Sequence, residues 1–272
     1  MSDIFLDLGL IQIKWYSFCL LIAMGIGGVL FYKEGKKKGI SGDELIDILF
    51  YGVLLGILGG RIYYVLFNLS YYLKYPSEII KVWHGGLAIH GAIIAGLLYL
   101  YFYTKKQKKP LFLLTDITVV SLIIAQAIGR WGNFFNQEAF GRVVSLSFLK
   151  NLHLPKLIIN QMYIDGFYRE PTFLYESLLN GIGFIILILL RKNRKIKVGQ
   201  LTGFYLVWYG IIRIIIESFR ADSLMLGNIR IAQVVSFIAI VCGGYLLLRK
   251  NKSLYQEETW ERKKRKDRKK HE

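Results

Sequence analysis

Thirteen residues, GRWGNFFNQEAFG at positions 129–141, follow directly on an apolar run at 111–128 and set Arg130, Asn133, Asn136 and Glu138 among glycines and aromatics. Ionisable side chains are costly at membrane depth, so their presence there marks a candidate functional site. A guanidinium is permanently charged and presents a planar fork of donors to phosphate or carboxylate oxygens, so anion recognition is the first chemistry to consider. The same reasoning singles out Tyr209, Arg213, Glu217 and Arg220 in YGIIRIIIESFR, Arg61 in GGRIYY, Glu176 in PTFLYES, Tyr16 in KWY and His90 in HGGLAIHG. Of these, His90 carries an imidazole, a group that can accept a proton from a substrate.

Each of these residues also has a purely structural reading. Arg61 can snorkel from a helix end or pair with a carboxylate such as Glu176 or Glu217. Trp15 and Tyr16 together have the composition of an interfacial aromatic belt. Tyr209 and Arg213, and then Arg213 and Glu217, are spaced i, i+4, so the three share one helical face and an intrahelical ion pair would neutralise two of them. Arg220 nevertheless leaves excess positive charge nearby. His84 precedes the apolar part of its segment and reads as an interface residue. His90 sits among Ala88, Ile89, Gly91 and Ala92, deeper in the apolar run, and reads as a site residue.

The elements that must position these groups are apolar and long. The chain has 272 residues, of which 54% are hydrophobic, with a net charge of +17 and a mean hydropathy of +0.38. Seven apolar blocks, roughly 15–32, 45–67, 86–103, 111–128, 172–190, 201–217 and 230–248, approach the length a membrane-spanning helix needs. The blocks are continuous rather than alternating and too long for barrel strands, which makes strands the poorer reading. Basic segments at 33–39, 105–110, 191–197 and after 248 alternate with nearly balanced ones at 68–83 and 219–229. Retention of basic loops on the cytoplasmic side therefore predicts an outside N-terminus, an inside C-terminus and an odd number of spans. Much of the net charge is then a topology signal. The ERKKRKDRKK tail reads as a cytoplasmic stretch drawn to anionic lipid heads rather than to nucleic acid.

The N-terminus shows neither the basic n-region nor the small-residue cleavage site of a signal peptide, so the first apolar run is expected to persist as a helix. Cys19 and Cys242 lie in different apolar blocks and read as packing residues. No repeat recurs at a fixed period, and no pair of broken helices duplicates between the halves, which argues against a secondary transporter.

The opening stretch resembles the signature of the prolipoprotein diacylglyceryl transferases, Gly-Arg-x-Gly-Asn-Phe-x-Asn-x-Glu-x-x-Gly, matching at Gly129, Arg130, Gly132, Asn133, Phe134, Asn136, Glu138 and Gly141. The resemblance extends along the chain through WY at 15–16, GGRIYYVLF at 59–67, GGLAIHGA at 85–92, PTFLYES at 171–177 and YGIIRIIIESFR at 209–220. Two positions depart from the family pattern: Phe173 stands where glutamine is usual, and Ala221 where proline is usual.

The resemblance implies an all-α integral membrane protein of seven transmembrane helices, multi-pass in the bacterial plasma membrane. Residues 1–250 would form the catalytic domain, with 142–170 as a small periplasmic-side cap, and 251–272 would be a basic, disordered cytoplasmic tail. It implies transfer of the diacylglyceryl group of phosphatidylglycerol to the thiol of the lipobox cysteine in a prolipoprotein signal peptide. That transfer makes a thioether, releases glycerol 1-phosphate and begins lipoprotein maturation. In that reading Arg130 and Arg213 hold the phosphate, and His90 matches an essential histidine suited to take the thiol proton. Arginine electrostatics favouring the thiolate is an open alternative. Asn133, Asn136 and Glu138 would bind the glycerol and orient Arg130, while the glycines at 129, 132 and 141 would let the backbone approach closely and turn. Tyr16, Arg61, Tyr209, Glu217 and Arg220 complete the substrate-binding set. Both substrates would enter from membrane lipid.

No metal or nucleotide cofactor is implied, and the sequence has neither a phosphate-binding glycine loop followed by lysine nor a His and carboxylate cluster at ligand spacing. An anionic-lipid transporter would share the intramembrane arginines but has no use for a proton acceptor beside them. Another phospholipid head-group transferase would ordinarily add a metal-binding carboxylate cluster.

Overall fold

The computed structural model describes residues 4–7, 12–221, 225–226, 229–249 and 253–260. Among them run ten α-helices: α1 (Trp15–Lys37), α2 (Gly42–Phe67), α3 (Leu69–Lys74), α4 (Ile89–Lys106), α5 (Leu111–Asn136), α6 (Leu146–Asn151), α7 (Lys156–Gln161), α8 (Thr172–Lys192), α9 (Gln200–Phe219) and α10 (Ile231–Leu248). Three two-stranded antiparallel ribbons accompany them: β1 (Ile4–Asp7) with β2 (Gln12–Lys14), β3 (Tyr163–Ile164) with β4 (Phe167–Tyr168), and β5 (Met225–Leu226) with β6 (Ile229–Arg230). The chain divides into two compact units, Met1–Phe31 with Thr115–Glu257, and Tyr32–Leu114 with Glu258–Glu272.

The local sequence explains the helix ends. Ser41 caps α2 by accepting from the Glu44 amide at 3.2 Å, and Asp43 and Glu44 place negative charge in its first turn. Lys36 and Lys37 close α1, Lys105 and Lys106 close α4, and Arg191 and Lys192 close α8. The basic residues that signal topology therefore also sit at the negative ends of helix dipoles.

In the smaller unit α2 and α4 pack through small residues. A Cβ on Gly59 would come 2.3 Å from Ala95 Cβ, and one on Gly91 would come 2.3 Å from the Gly59 carbonyl oxygen, so the two backbones touch. The amide of Ala88 donates to Gly60 O at 3.0 Å, fixing where α4 begins.

In the larger unit α9 packs on α10 in the same manner. A Cβ on Gly243 would stand 2.6 Å from Gly203 O. The buried carboxylate of Asp116, from α5, supplies the cap that Gly199 cannot: it accepts from Gly199 N at 2.5 Å, Thr202 N at 2.8 Å and Thr202 Oγ1 at 2.6 Å. Residues 142–170 fold as α6, α7 and the β3–β4 ribbon around a small core of Leu149, Ile158, Ile159, Met162 and Ile164, which closes on Phe134 of α5 and Phe173 of α8. Phe173 stacks on Phe134 with ring centroids 4.5 Å apart, which explains an apolar residue at that position.

Six helices, α1, α2, α5, α8, α9 and α10, are long and apolar enough to cross a membrane. The seven expected blocks each correspond to a long helix, but α4 falls outside these six. Its eighteen residues include His90, Tyr99, Tyr101 and Tyr103 and end on two lysines. That helix also starts later than the block at 86–103 predicts, because residues 82–84 form a 3-10 turn and Gly85 and Gly86 take positive φ. Leu21, Ile62, Phe102, Leu189, Phe237 and Leu248 are exposed on the long helices, as lipid-facing side chains would be.

The expected disordered tail from 251 requires correction over residues 253–260. Within the larger unit, Val198 N donates to Ser253 O at 2.9 Å and Tyr255 N to Ile196 O at 2.8 Å, with the Tyr255 side chain buried. Within the smaller unit, Trp260 is buried, donates through its indole nitrogen to Glu44 Oε1 at 2.8 Å and carries Lys109 over its ring. Two aromatic side chains hold the segment where a wholly polar tail would find nothing to bury.

Candidate active site

Helix α5 does not stop where its apolar run does. It continues through Gly129 and Gly132 to Asn136, so Arg130 and Asn133 stand one turn apart on a helix, with Arg130 Nη1 donating to Asn133 Oδ1 at 3.3 Å. The turn expected from the glycines comes instead at Gln137 and Ala139, whose φ values are 53° and 56°. The Gln137 side-chain amide anchors this turn by donating to Gln161 O at 2.8 Å. Gly132 serves a different purpose, since a Cβ there would lie 2.9 Å from Tyr16 Cδ2. Tyr16 thus lies against the signature helix, beside Trp15, which stacks on Phe135 at 4.7 Å. Beyond the turn, Asn136 Nδ2 reaches Glu138 Oε1 at 3.4 Å.

Gly141 makes the close approach expected of it. Its amide donates to Glu170 O at 2.9 Å, a Cβ would stand 2.8 Å from Glu170 Cβ, and it bridges to Arg220 at the end of α9. Arg142 N to Phe219 O at 3.0 Å and Ala221 N to Phe140 O at 3.3 Å continue that pairing. Ala221 therefore uses its backbone amide, a donor that proline lacks.

Arg213 on α9 donates through Nη1 to Glu176 Oε1 at 2.9 Å and pairs through Nη2 with Glu217 Oε2 at 2.8 Å. Arg130 pairs through Nε with the other oxygen of Glu176. One carboxylate from α8 thus joins the arginine of α5 to the arginine of α9. One turn from Arg130 on α5 and two turns from Arg213 on α9, Gln126 Nε2 donates to Tyr205 Oη at 2.9 Å, and the Tyr205 ring stacks with Tyr209 at 6.1 Å. The rows Gln126–Arg130–Asn133 and Tyr205–Tyr209–Arg213–Glu217 form two sides of a polar strip inside an otherwise apolar bundle. Arg230, at the head of α10, donates through Nη1 to Glu217 O.

Arg61 and His90 belong to the smaller unit. The guanidinium of Arg61 is buried and donates to backbone carbonyls of Glu78 at 2.6 Å, Ile79 at 2.9 Å, Gly85 at 2.6 Å and Gly86 at 3.0 Å, with the ring of Tyr72 5.2 Å away. The carboxylate partners Glu176 and Glu217 considered for it are instead bound to Arg130 and Arg213. Glu78 is held between Lys81 at 2.6 Å and His84 at 2.8 Å, and these hydrogen bonds hold its carboxyl below the usual carboxylate range. His90 is the second residue of α4, half-buried, with its ring 6.2 Å from that of Tyr63. Among the described residues no group of three or more His, Cys, Asp or Glu side chains converges as a metal site would.

Sequence reasoning left four contributors without a role. Glu176 was singled out as an ionisable residue of its apolar run, but only as a possible partner of Arg61 and not as a site residue. Gln126, Tyr205 and Arg230 carry no motif and become visible only through their partners.

The sequence model of the prolipoprotein diacylglyceryl transferases matches residues 3–249. The chain belongs to the prolipoprotein diacylglyceryl transferase family. Among its curated relatives, phosphatidylglycerol–prolipoprotein diacylglyceryl transferase of Ligilactobacillus salivarius is 45% identical over 88% of this chain and 90% of the relative. The protein of the same name from Bacillus licheniformis is 46% identical over 91% and 92%, and that from Staphylococcus saprophyticus 46% identical over 89% and 87%. The span matched by the family model, 3–249, contains the polar elements just described.

Proposed function

We propose that this chain transfers the diacylglyceryl group of phosphatidylglycerol to the thiol of the lipobox cysteine of prolipoproteins, the first step of lipoprotein maturation. The observation that carries the reading is the joining of Arg130 and Arg213 through Glu176 at one polar strip of an apolar bundle, in a chain of this family. Two guanidiniums held together suit a phosphate with several oxygens to bind.

In the reaction the cysteine sulfur forms a bond to the glycerol carbon while that carbon's bond to the phosphate oxygen breaks. Glycerol 1-phosphate leaves with the electron pair, and Arg130 and Arg213 stabilise the charge it gains. The thiol proton passes to the imidazole nitrogen of His90. Asn133, Asn136 and Glu138 hydrogen-bond the glycerol head group and hold Arg130. Tyr16, Tyr209, Glu217, Arg220 and Gly141 shape the same strip. Arg61 contributes by holding the backbone of residues 78–86 rather than by touching lipid, given that its donors are already committed there.

The setting is a seven-span protein of the bacterial plasma membrane, with α4 as the additional span, the N-terminus outside and the C-terminus cytoplasmic. The subdomain at 142–170 caps the site on the periplasmic side, and both substrates arrive from the bilayer. The test incubates purified protein with phosphatidylglycerol and a lipobox peptide containing cysteine or serine. The cysteine peptide is expected to gain the mass of one diacylglyceryl unit and the serine peptide nothing; no gain with cysteine would sink the reading.

A further inference from the structure

Glu176 stands at the centre of the polar strip, and its surroundings define what it can do. Its side chain is 6% exposed and that of Glu217 2%, whereas Arg130 and Arg213 are 23% and 15% exposed. The two carboxylates are the more buried members of the cluster and the two arginines the more exposed, so the arginines are the more accessible to a ligand. The contacts are of two kinds: Arg130 Nη1 donates to Asn133 and Arg213 Nη1 to Glu176, while Arg130 Nε and Arg213 Nη2 lie in ion-pair contact with Glu176 Oε2 and Glu217 Oε2. Neither Arg130 Nη2 nor Arg213 Nε takes part in these contacts.

We propose that Glu176 is a positioning residue, whose carboxylate couples Arg130 and Arg213 into one anion-binding unit and fixes which guanidinium edges remain for the phosphate. This inference rests on the diacylglyceryl transfer reading above. Arginine side chains are long and lose much rotamer freedom when ordered, so a shared counter-ion that orders both beforehand lowers the cost of bringing them together in the transition state. The same negative charge opposes binding of another anion in the ground state. A positioning role therefore predicts opposite effects on turnover and on anion binding, whereas a purely structural role predicts that both decline together.

The test compares full-length wild type with Glu176→Gln and Glu176→Asp in two independent assays, transfer to a lipobox peptide and direct binding of glycerol 1-phosphate. Glu176→Gln is expected to lower kcat by at least about tenfold, with the KM for phosphatidylglycerol not raised, because alignment is lost while positive potential grows. Its affinity for glycerol 1-phosphate is expected to equal or exceed that of wild type. Glu176→Asp keeps the charge and is expected to recover part of the turnover.

Unchanged kcat in Glu176→Gln would overturn the proposal, as would weakened glycerol 1-phosphate binding, or a Glu176→Asp no faster than Glu176→Gln. If wild type binds glycerol 1-phosphate but modifies no peptide, the transfer reading fails. The binding arm then still decides for or against Glu176 by the sign of its change in Glu176→Gln.

Discussion

A guanidinium within an apolar bundle persists only where a counter-ion and hydrogen bonds replace its water, and Arg130 and Arg213 meet that requirement through the same carboxylate. Lysine would keep the charge but not the fork. Arg213→Lys cannot hold Glu176 and Glu217 from two fixed nitrogens, and transfer is expected to fall by about a hundredfold or more, measured as the rate of peptide mass gain. His90→Ala is expected to abolish transfer in protein that remains folded; full activity would move proton acceptance away from the imidazole and toward arginine electrostatics. The signature GRWGNFFNQEAFG, Arg213 and Glu217 were legible in the sequence because their residue types are rare at such depth. The role of Glu176 was not, because spacing shows which residues share a helix face but not which helix supplies the counter-charge.

At the scale of elements, the apolar blocks located the long helices but misplaced their ends. Hydropathy ends at Ile128, yet α5 continues to Asn136, because Phe134 is buried against Phe173 and the small core of residues 142–170, while Trp131 donates through its indole nitrogen to Ser177 at 3.1 Å on α8. Tertiary packing extends the helix where local polarity would have ended it. The glycines of α2 and α4 were legible as residues and not as contacts, since the approach of Gly59 to Gly91 depends on a partner helix.

The segment between those two helices provides a pH prediction. Glu78 has a depressed carboxyl pKa from its hydrogen bonds to Lys81 and His84. Its contribution to order is therefore fully present above the ordinary carboxylate pKa and is lost as pH falls through the lower folded value. Limited proteolysis should find residues 76–86 more readily cut on acidification, and Glu78→Gln should be cut readily at neutral pH and respond less to acid. Equal protection of wild type and Glu78→Gln throughout would contradict this account of the loop.

For the whole molecule, long apolar helices support a multi-pass arrangement, and the alternating basic segments predict an outside N-terminus and an inside C-terminus. Single cysteines introduced at Lys74 and at Arg194 should differ in reactivity toward a membrane-impermeant thiol reagent in intact cells, with position 74 labelled and position 194 protected. Labelling at both, or protection of position 74 with labelling of position 194, would contradict the orientation. Composition located the long apolar helices, six of which are long and apolar enough to cross a membrane. It gave no sign of contacts that depend on particular aromatic residues, such as the burial of Tyr255 and Trp260 beyond the last long helix.

The central claim is that the paired arginines support cleavage of the bond between the glycerol carbon and the phosphate oxygen during attack by a cysteine thiol. Its most direct measurement is the ratio of glycerol 1-phosphate released to peptide modified, with purified protein and defined phosphatidylglycerol. The account predicts one molecule released for each peptide modified, with neither product formed from a serine peptide or by Arg213→Ala. Peptide modification without glycerol 1-phosphate, or release that does not depend on the cysteine, would contradict it.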